Sequence, residues 1–513
     1  MAPTLLGAHV KLRGPNSGYT WTAGPWNYSS GTLGSGNPLA LQQGVVVHDP
    51  MTGERIEGNA IDAKGLKRRS GDRILVLKFL YAIFEPRRYD VVVFKDPAHP
   101  QVNFIKRLIG LPGEMVALVD GDVFTRPTGS IPKDQADTWT QPGWRIARKP
   151  AHVQRAVWQP VFDSTYAPLA TGIAFVSPWT SADGEGTAWA LAGQGYRYTG
   201  TGPTTLAWDG AKTRYIEGRN SLPWPVTREL WAIDDRYPYD EVPNSFSWMR
   251  RFPVSDVRVR AGLDIGSATG SFSIRLAARG EEFVAEFSEG GGGAWTVSIK
   301  SRAEGEAAFR ELASGPAKGL KRGKVCDVEF WHADQSVQVW IGAKLVAHAE
   351  YEWEPSERIA RATGRTVEQV METAQLRSNP LADTSLYRAP QVSWTFAGPV
   401  TMHRVGLDRD LHYQPVILPP GLGTHPSRPA VLSRDEFFCL GDNSPASSDG
   451  RMWDMVDPWV AHEMWTMKGL EPKAGIVPRE LMMGKAFFVY FPAAHFVGGT
   501  IPVPDVGRLR FID

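Results

Sequence analysis

The strongest constraint on the fold is a series of short runs in which polar and apolar residues alternate. The clearest lie at 257–261, 271–276, 295–299 and 337–341, and Gly342 follows the last at a turn. Alternation with a period of two is typical of half-buried strands, and turns at short spacing indicate a two-sheet sandwich. The sequence therefore predicts a mainly β protein, with which its 52 Gly and 19 Trp agree.

A second group of strands is predicted at 71–124. Residues 71–76 are interpreted as a turn followed by a buried strand, and 91–94 as the next strand. Residues 120–122 have the Asp-Gly pattern of a hairpin turn. These strands form a compact β unit that precedes the alternating region.

Lys106 lies in an apolar run of this unit. Its neighbours include Phe104, Ile105, Leu108 and Ile109. Burial disfavours the ammonium form, so an apolar wall lowers the pKa of a lysine. To act as a base near neutral pH, its pKa must fall from about 10.4 to roughly 7–8. The alternative is a lysine at a strand edge whose amine reaches water.

Composition excludes several classes of protein. A net charge of +1 gives no field that would steer nucleic acid, so no nucleic-acid partner is predicted. Cys326 and Cys439 make neither a metal pattern nor a disulfide framework, although one bridge between them stays open. No run of 18 apolar residues occurs, so no membrane-spanning helix is predicted, and the first residues lack the pattern of a signal peptide.

Changes of composition divide the 513 residues into three segments. Residues 1–129 and 416–513 are predicted to be two halves of one domain. Residues 130–415 are predicted to be a β-sandwich inserted between them, with one helical piece at 366–374. The predicted fold class is thus a mainly β catalytic domain split by a jelly-roll-like sandwich.

Four blocks of sequence, at 1–5, 89–94, 105–114 and 441–453, resemble those of bacterial type I signal peptidase. That family consists of endopeptidases that use a serine and a lysine to remove signal peptides from exported proteins. Any single block is a weak signal, but the four occur in the family's order. Tyr89 departs from the family's pattern, which has glycine there.

The resemblance implies roles for particular residues and partners. Lys106 corresponds to the general base and Ser447 to the hydroxyl that orients it. The remaining residues correspond to a supporting charge network and to substrate contacts: Arg107, Asp442, Asn443, Asp449 and Arg451 for the network, Met1 and Pro3 for the substrate. No cofactor and no metal are implied. The implied substrates are preproteins with an Ala-x-Ala signal, cut at the outer face of the cytoplasmic membrane.

The nucleophile is the point at which the sequence departs from the family. The catalytic serine of the family immediately precedes the methionine that corresponds to Met1, and a membrane anchor precedes the serine. Thr4 is not expected to replace it. The chain as printed is therefore expected to be inactive by itself. Either it is part of a longer protein that is a full peptidase, or it is a natural relative without activity.

The segment 130–415 weakly resembles laminin-G and concanavalin-like jelly rolls. Its aromatic residues either fill a core, as Trp usually does, or bind a carbohydrate or protein partner. The second reading belongs to the alternative in which the chain is an inactive relative of the peptidases and the sandwich is a binding module. His332 and Asp334 have ligand chemistry, but two residues on one strand do not make a metal site.

Overall fold

The computed structural model describes most of the chain. The described ranges are 3–24, 46–57, 69–130, 138–170, 175–184, 189–191, 193–212, 230–240, 250–373, 378–469, 471–497 and 501–512. Within them the protein is mainly β, as predicted, and every ladder between its strands is antiparallel.

The strands and helices are numbered in chain order. The strands before residue 150 are β1 (Val10–Arg13), β2 (Thr20–Ala23), β3 (Val46–His48), β4 (Arg55–Glu57), β5 (Arg73–Leu77), β6 (Val91–Lys95), β7 (Asn103–Gly110), β8 (Glu114–Val119), β9 (Asp122–Pro127) and β10 (Arg145–Ile146). Those of the central region are β11 (Gln159–Asp163), β12 (Trp179–Ser181), β13 (Trp189–Leu191), β14 (Gly195–Tyr198), β15 (Pro203–Trp208), β16 (Val257–Ile265), β17 (Ser271–Ala278), β18 (Glu281–Glu289), β19 (Trp295–Ala303), β20 (Arg310–Pro316), β21 (Cys326–Ala333), β22 (Ser336–Ile341), β23 (Lys344–Glu350), β24 (Gln391–Ala397) and β25 (Val400–Arg409). The last strands are β26 (Ala430–Val431), β27 (Glu436–Leu440), β28 (Val477–Pro478), β29 (Met482–Phe491), β30 (His495–Val497), β31 (Ile501–Val503) and β32 (Arg510–Phe511). The helices are α1 (Leu80–Ile83), α2 (Ala151–Val157), α3 (Pro355–Thr363), α4 (Val367–Met371) and α5 (Pro458–Lys468).

Two large sheets of the central region share one apolar core. One has the order β13-β14-β25-β16-β21-β22-β23, with β11 also paired to β25, and the other has the order β12-β15-β24-β17-β18-β19-β20. Val259 and Phe330 enter the core from the first sheet, and Ile274 and Trp394 enter it from the second. The alternation seen in the sequence therefore marks the faces that meet, as a sandwich requires.

A separate sheet holds the blocks that flank the sandwich in sequence. Its order is β28-β27-β7-β6-β29-β32, and β5 pairs with β29. Strand β7 lies between β6, which precedes it closely, and β27, which follows more than 300 residues later. The first and last parts of the chain thus complete one sheet.

A smaller sheet of order β10-β9-β8-β26 packs against β7 and β27 through Val116, Leu118 and Val123. Helices α3 and α4 pack on it through Ile359, Val367 and Val370. Helix α4 begins at a capping box in which Thr366 and Gln369 bond each other's backbone N–H groups. It accounts for the helix predicted at 366–374.

The structure corrects the predicted burial of one strand and decides whether the two cysteines form a disulfide bridge. The strand predicted as buried at 71–76 is β5, in which Leu75 is 42% exposed. Its only partner is β29, so it lies beside the main path of the sheet and its other edge is unpaired within the described residues. Cys326 and Cys439 are both free thiols, so they form no bridge.

The boundaries at 130 and 415 stay predictions. Strand β10 and helix α2 follow residue 130, yet β10 pairs with β9 and α2 packs on the cluster that contains Val116 and Phe438. Strands of the two large sheets begin at Gln159 and end at Arg409. Among the described residues, no helix is long and apolar enough to cross a membrane.

Candidate active site

Strand β7 presents two adjacent cationic side chains to opposite faces of its sheet. Lys106 stands opposite Val92 on β6, and Arg107 stands opposite both Val91 on β6 and Leu440 on β27. Because successive side chains of a strand alternate between faces, these two residues enter different surroundings.

The Lys106 amine is buried beside a hydroxyl from the far end of the chain. The residue is 9% exposed, and its Nζ donates a hydrogen bond of 2.9 Å to Ser447 Oγ. The amine also lies 5.5 Å from the centre of the Phe104 ring, which stacks on Trp453. Burial lowers the pKa of Lys106, and this effect outweighs the opposing influence of the Asp449 carboxylate.

Gly441 leaves the space in which the amine and the hydroxyl meet. A Cβ atom at this position would lie 2.1 Å from Ser447 Oγ and 3.5 Å from Lys106 Nζ. The first distance is far below van der Waals contact, so any larger residue would displace the hydroxyl. This close approach explains why glycine follows β27 directly.

Arg107 forms a fully buried ion pair with Asp442. Its Nε and Nη2 lie 2.8 and 3.0 Å from the two carboxylate oxygens, and both side chains are 0% exposed. Burial alone would raise the pKa of Asp442, but the charges and hydrogen bonds around the carboxylate, chiefly those of Arg107, together outweigh burial, so the pKa is lowered. Thr4 Oγ1 also donates to Asp442, at 2.5 Å, which holds Thr4 beside this loop.

A second buried pair shapes the loop that carries Ser447. Arg451 Nε and Nη2 each lie 2.9 Å from an oxygen of Asp449, and Arg451 Nη1 donates to Ser444 Oγ at 2.6 Å. The Gly441 N–H donates to Asp449 Oδ2 at 3.0 Å. Asp449 therefore joins the two ends of the loop, and its carboxylate is paired as a buried charge requires.

Two residues outside the four sequence blocks also hold this loop. Tyr237 Oη donates to the carbonyl oxygen of Asp442 at 2.6 Å, and Asn443 Nδ2 donates to Asp240 Oδ1 at 2.8 Å. Burial raises the pKa of Asp240 to about 6. Sequence analysis missed both residues, because their segment has no motif and its partners are about 200 residues away.

Most of the residues singled out from the sequence converge on this loop. The structure brings Lys106 to Ser447, Arg107 to Asp442, and Asp449 to Arg451. Pro3 lies in a half-buried turn, with no contact that defines a substrate site, and Met1 lies outside the described residues. The roles of these residues stay predictions.

A buried acidic cluster was not anticipated. One oxygen from each of Asp122, Asp256, Asp334 and Asp410 lies within 4.8 Å of the others, although the four residues are spread over nearly 300 positions. Carboxylate oxygens suit a divalent cation. However, cationic side chains of the protein already pair with these carboxylates.

Three cationic side chains account for these acids. Lys149 Nζ lies 2.5 Å from Asp334 and 2.9 Å from Asp410, Arg279 lies 2.5 Å from Asp256, and Arg358 bonds Asp122. The cluster therefore joins β9 to the ends of the sandwich strands as an ion-pair network. His332, considered above as a metal ligand, contacts Asp256 within it.

Comparison with known proteins defines a class for part of the chain. Residues 65–129 match the family described as signal peptidase, peptidase S26. The match includes Lys106 and Arg107 but ends before Ser447. It supports a relationship to proteases of this family over that segment.

Curated relatives of this segment are signal peptidases. Signal peptidase I of Pseudomonas fluorescens is 47% identical over 9% of this chain and 20% of the relative. Signal peptidase I of Aquifex aeolicus is 50% identical over 9% of this chain and 18% of the relative. The chain thus spans about a fifth of the length of the curated relatives it matches.

The similarity of this chain to solved structures is weak. The carbohydrate binding module CBM66 from Bacillus subtilis is 9% identical, with a TM-score of 0.24 over 45% of this chain and 96% of that one. The galectin LEC-6 of Caenorhabditis elegans is 17% identical, with a TM-score of 0.18 over 30% of this chain and 83% of that one. Such scores carry no argument about function.

Proposed function

We propose that this chain carries most of the active site of a serine endopeptidase of the signal-peptidase type. The observation that carries the proposal is the buried contact of 2.9 Å between Lys106 Nζ and Ser447 Oγ. The family match over residues 65–129 supports the same assignment for the lysine.

Lys106 acts as the general base in this proposal. A neutral amine has a lone pair that can take the proton of a serine hydroxyl, and burial favours the neutral form. Donation to Ser447 uses one N–H and fixes the direction of the lone pair. Lys106 then returns the proton to the leaving amine and activates the water that releases the product. Ser447 is a positioning residue.

The serine nucleophile is assigned to the position before Met1, as the resemblance implies. The bond from Thr4 to Asp442 supports this assignment, because it holds Thr4 next to the loop that carries Ser447. Leu5 packs among Val91, Val93 and Ile105, on the Arg107 face of β6 and β7, which keeps this residue beside the strand that carries Lys106. The substrate is a preprotein that binds as an added strand and presents small residues such as Ala at the cut.

The test compares the 513-residue chain with a version that carries a serine immediately before Met1. The substrate is a fluorogenic peptide with an Ala-x-Ala site. We expect the extended protein to cleave it, and Lys106→Ala to lower kcat about 10²–10⁴-fold, as loss of a general base does. Lys95→Ala, an exposed lysine on the neighbouring strand, is the matched control.

Ser447 is tested through the pH profile. In Ser447→Ala the amine loses its acceptor, so kcat falls and the acidic limb of the profile moves, whereas Ser447→Thr restores part of the rate. Activity that survives Lys106→Ala would refute the role given to the lysine. A correctly folded extended protein that cleaves no precursor would favour the inactive relative instead.

A further inference from the structure

The outward face of one sandwich sheet bears an open groove. It lies across β15, β24, β17, β18, β19 and β20 and has a volume of about 710 Å³. Cavities of roughly 300–1,000 Å³ are typical of sites for small ligands. We call this cavity the outer groove, and the side chains that face it are Pro203, Ser271, Ser273, Glu286, Ser288, Thr296, Ser298, Lys300, Glu311, Ser314, Thr395 and Ala397.

The strand register sets a row of oxygen-bearing side chains across this sheet. Members of the row stand opposite one another on successive strands: Thr205, Thr395, Ser273, Glu286, Ser298 and Ser314. Residues directly opposite in an antiparallel pair are about 4.5–5.5 Å apart. The row therefore offers a periodic series of hydrogen-bonding groups along the floor of the outer groove.

Several of these groups have hydrogen-bonding capacity left. Within the described ranges, the hydroxyls of Ser271 and Ser273 have no partner. Glu311 accepts from Ser298 at 2.8 Å and from Ser314 at 2.7 Å, and these bonds lower its pKa. Each carboxylate oxygen keeps a lone pair free, so the groove can both donate to and accept from a ligand.

The charges of the outer groove limit the ligand. Glu286 pairs with Lys300 on the neighbouring strand, and Glu311 adds a further carboxylate. The surplus of one negative charge disfavours an anionic ligand. The apolar side chains that face the groove, Pro203 and Ala397, are small, which disfavours a lipid or an apolar peptide.

A second cavity lies further along β17, β18 and β19. Its volume is about 600 Å³, and its lining holds four arginines and four glutamates, so it adds no net charge to that of the outer groove. On β18, Glu282 and Ser288 line the two cavities six residues apart, which corresponds to about 20 Å at 3.2–3.4 Å per residue. The two cavities together suit an extended ligand of several units.

We infer that the outer groove binds a glycan chain that is neutral or carries amino groups. Closely spaced hydroxyls and carboxylates match the hydroxyls of linked sugars, and the charge surplus selects against sulfated or acidic chains. This inference concerns a different face of the protein and goes beyond the proposed peptidase activity.

The test uses the full 513-residue protein and defined hexasaccharides. The probes are a linear glucose hexamer, a chitosan hexamer and, as the anionic comparison, a heparin hexamer, each titrated by calorimetry. We expect a neutral or amino-bearing hexamer to bind and the heparin hexamer not to bind. Ser273→Trp fills the row and is expected to weaken binding at least tenfold.

A matched variant separates the groove from a general effect on the sandwich. Thr401→Trp changes a half-buried strand hydroxyl on the other sheet and is expected to leave binding within twofold. If Ser273→Trp fails to fold, the milder groove variant Glu286→Gln is tested instead, and it is also expected to weaken binding. Binding of the heparin hexamer alone, binding of an extended peptide instead, no binding at millimolar concentration, or equal loss in Thr401→Trp would each overturn the inference.

Discussion

Replacing Asp442 by asparagine removes one charge from a fully buried ion pair while keeping the shape of the side chain. Arg107 and Asp442 are both 0% exposed, so water cannot solvate the guanidinium that is left. Breaking one partner of such a pair typically costs 3–5 kcal/mol. The Arg107 guanidinium keeps its bond of 2.9 Å to the Tyr89 carbonyl, so we expect about 3 kcal/mol, the lower end of that range.

The matched control is an ion pair of the same chemistry on the surface. Arg404 and Asp327 lie 2.7 Å apart, with side chains 54% and 60% exposed. Exposed pairs contribute about 0–1 kcal/mol, so Asp327→Asn is expected to change stability by less than about 1 kcal/mol. The difference between the two variants isolates the effect of burial.

Native-state hydrogen exchange is the suitable assay, because the chain has several cores and need not unfold in one step. The free energy of opening is read at the amides of β7 and β27, which the pair joins. Equal losses in Asp442→Asn and Asp327→Asn, within about 0.5 kcal/mol, would refute the reasoning.

The pH dependence has a definite sign. Since the folded pKa of Asp442 is lowered, its contribution is complete above the ordinary aspartate pKa of about 3.9 and is lost as pH falls through the lowered value. The gap between wild type and Asp442→Asn should therefore stay constant at neutral pH and shrink only below about pH 4.

Three further predictions concern the same site. The folded pKa of Lys106 is lowered, so between that pKa and about 10.4 the unfolded chain binds more protons at Lys106 than the folded protein does. The free energy of unfolding should therefore rise with pH in this range. Lys106→Met should remove this rise. Gly441→Ala should displace the Ser447 hydroxyl and lower kcat of the serine-extended protein more than tenfold, measured with the fluorogenic peptide. Tyr237→Phe leaves the Asp442 carbonyl unpaired and should cost about 1–3 kcal/mol by hydrogen exchange.

Each of these predictions has a control in the same chain. Lys344→Met removes an exposed lysine and should leave the pH trend unchanged. Gly291→Ala adds a methyl group where no heavy atom lies within 4 Å. Tyr198→Phe removes a longer bond, of 3.2 Å, at the side of the sandwich. Controls that change as much as the site variants would show that general destabilisation accounts for the effects.

Much of the fold follows from local pattern. The alternating runs at 257–261 and 337–341 became β16 and β22, because a strand with one buried face needs period two. Helix α5 was missed although its start is marked by the cap Asp457 and by Pro458 at the first position. That signal was present in the sequence.

The site was predictable only where short motifs mark it. Lys106 and Ser447 stand in blocks that a known family shares, so their proximity could be expected. Tyr237 and Asp240 stand in no motif, and their bonds to the loop depend on how distant segments pack. The four clustered aspartates are also far apart in the sequence, so no local pattern predicts that their side chains lie together.

The sheet that carries Lys106 has a consequence for the order of events during synthesis. Ser447 leaves the ribosome 341 residues after Lys106, so β7 has no β27 to pair with until Glu436–Leu440 has been made. The sandwich strands emerge in between and are all made by Arg409, so the sandwich can fold first as a unit. Closure of so long a loop costs only about 0.6 kcal/mol per doubling of length, but contacts this distant form slowly. The amine and its hydroxyl partner therefore meet only after the sandwich has been made, and a nascent chain that stalls before β27 has no assembled site.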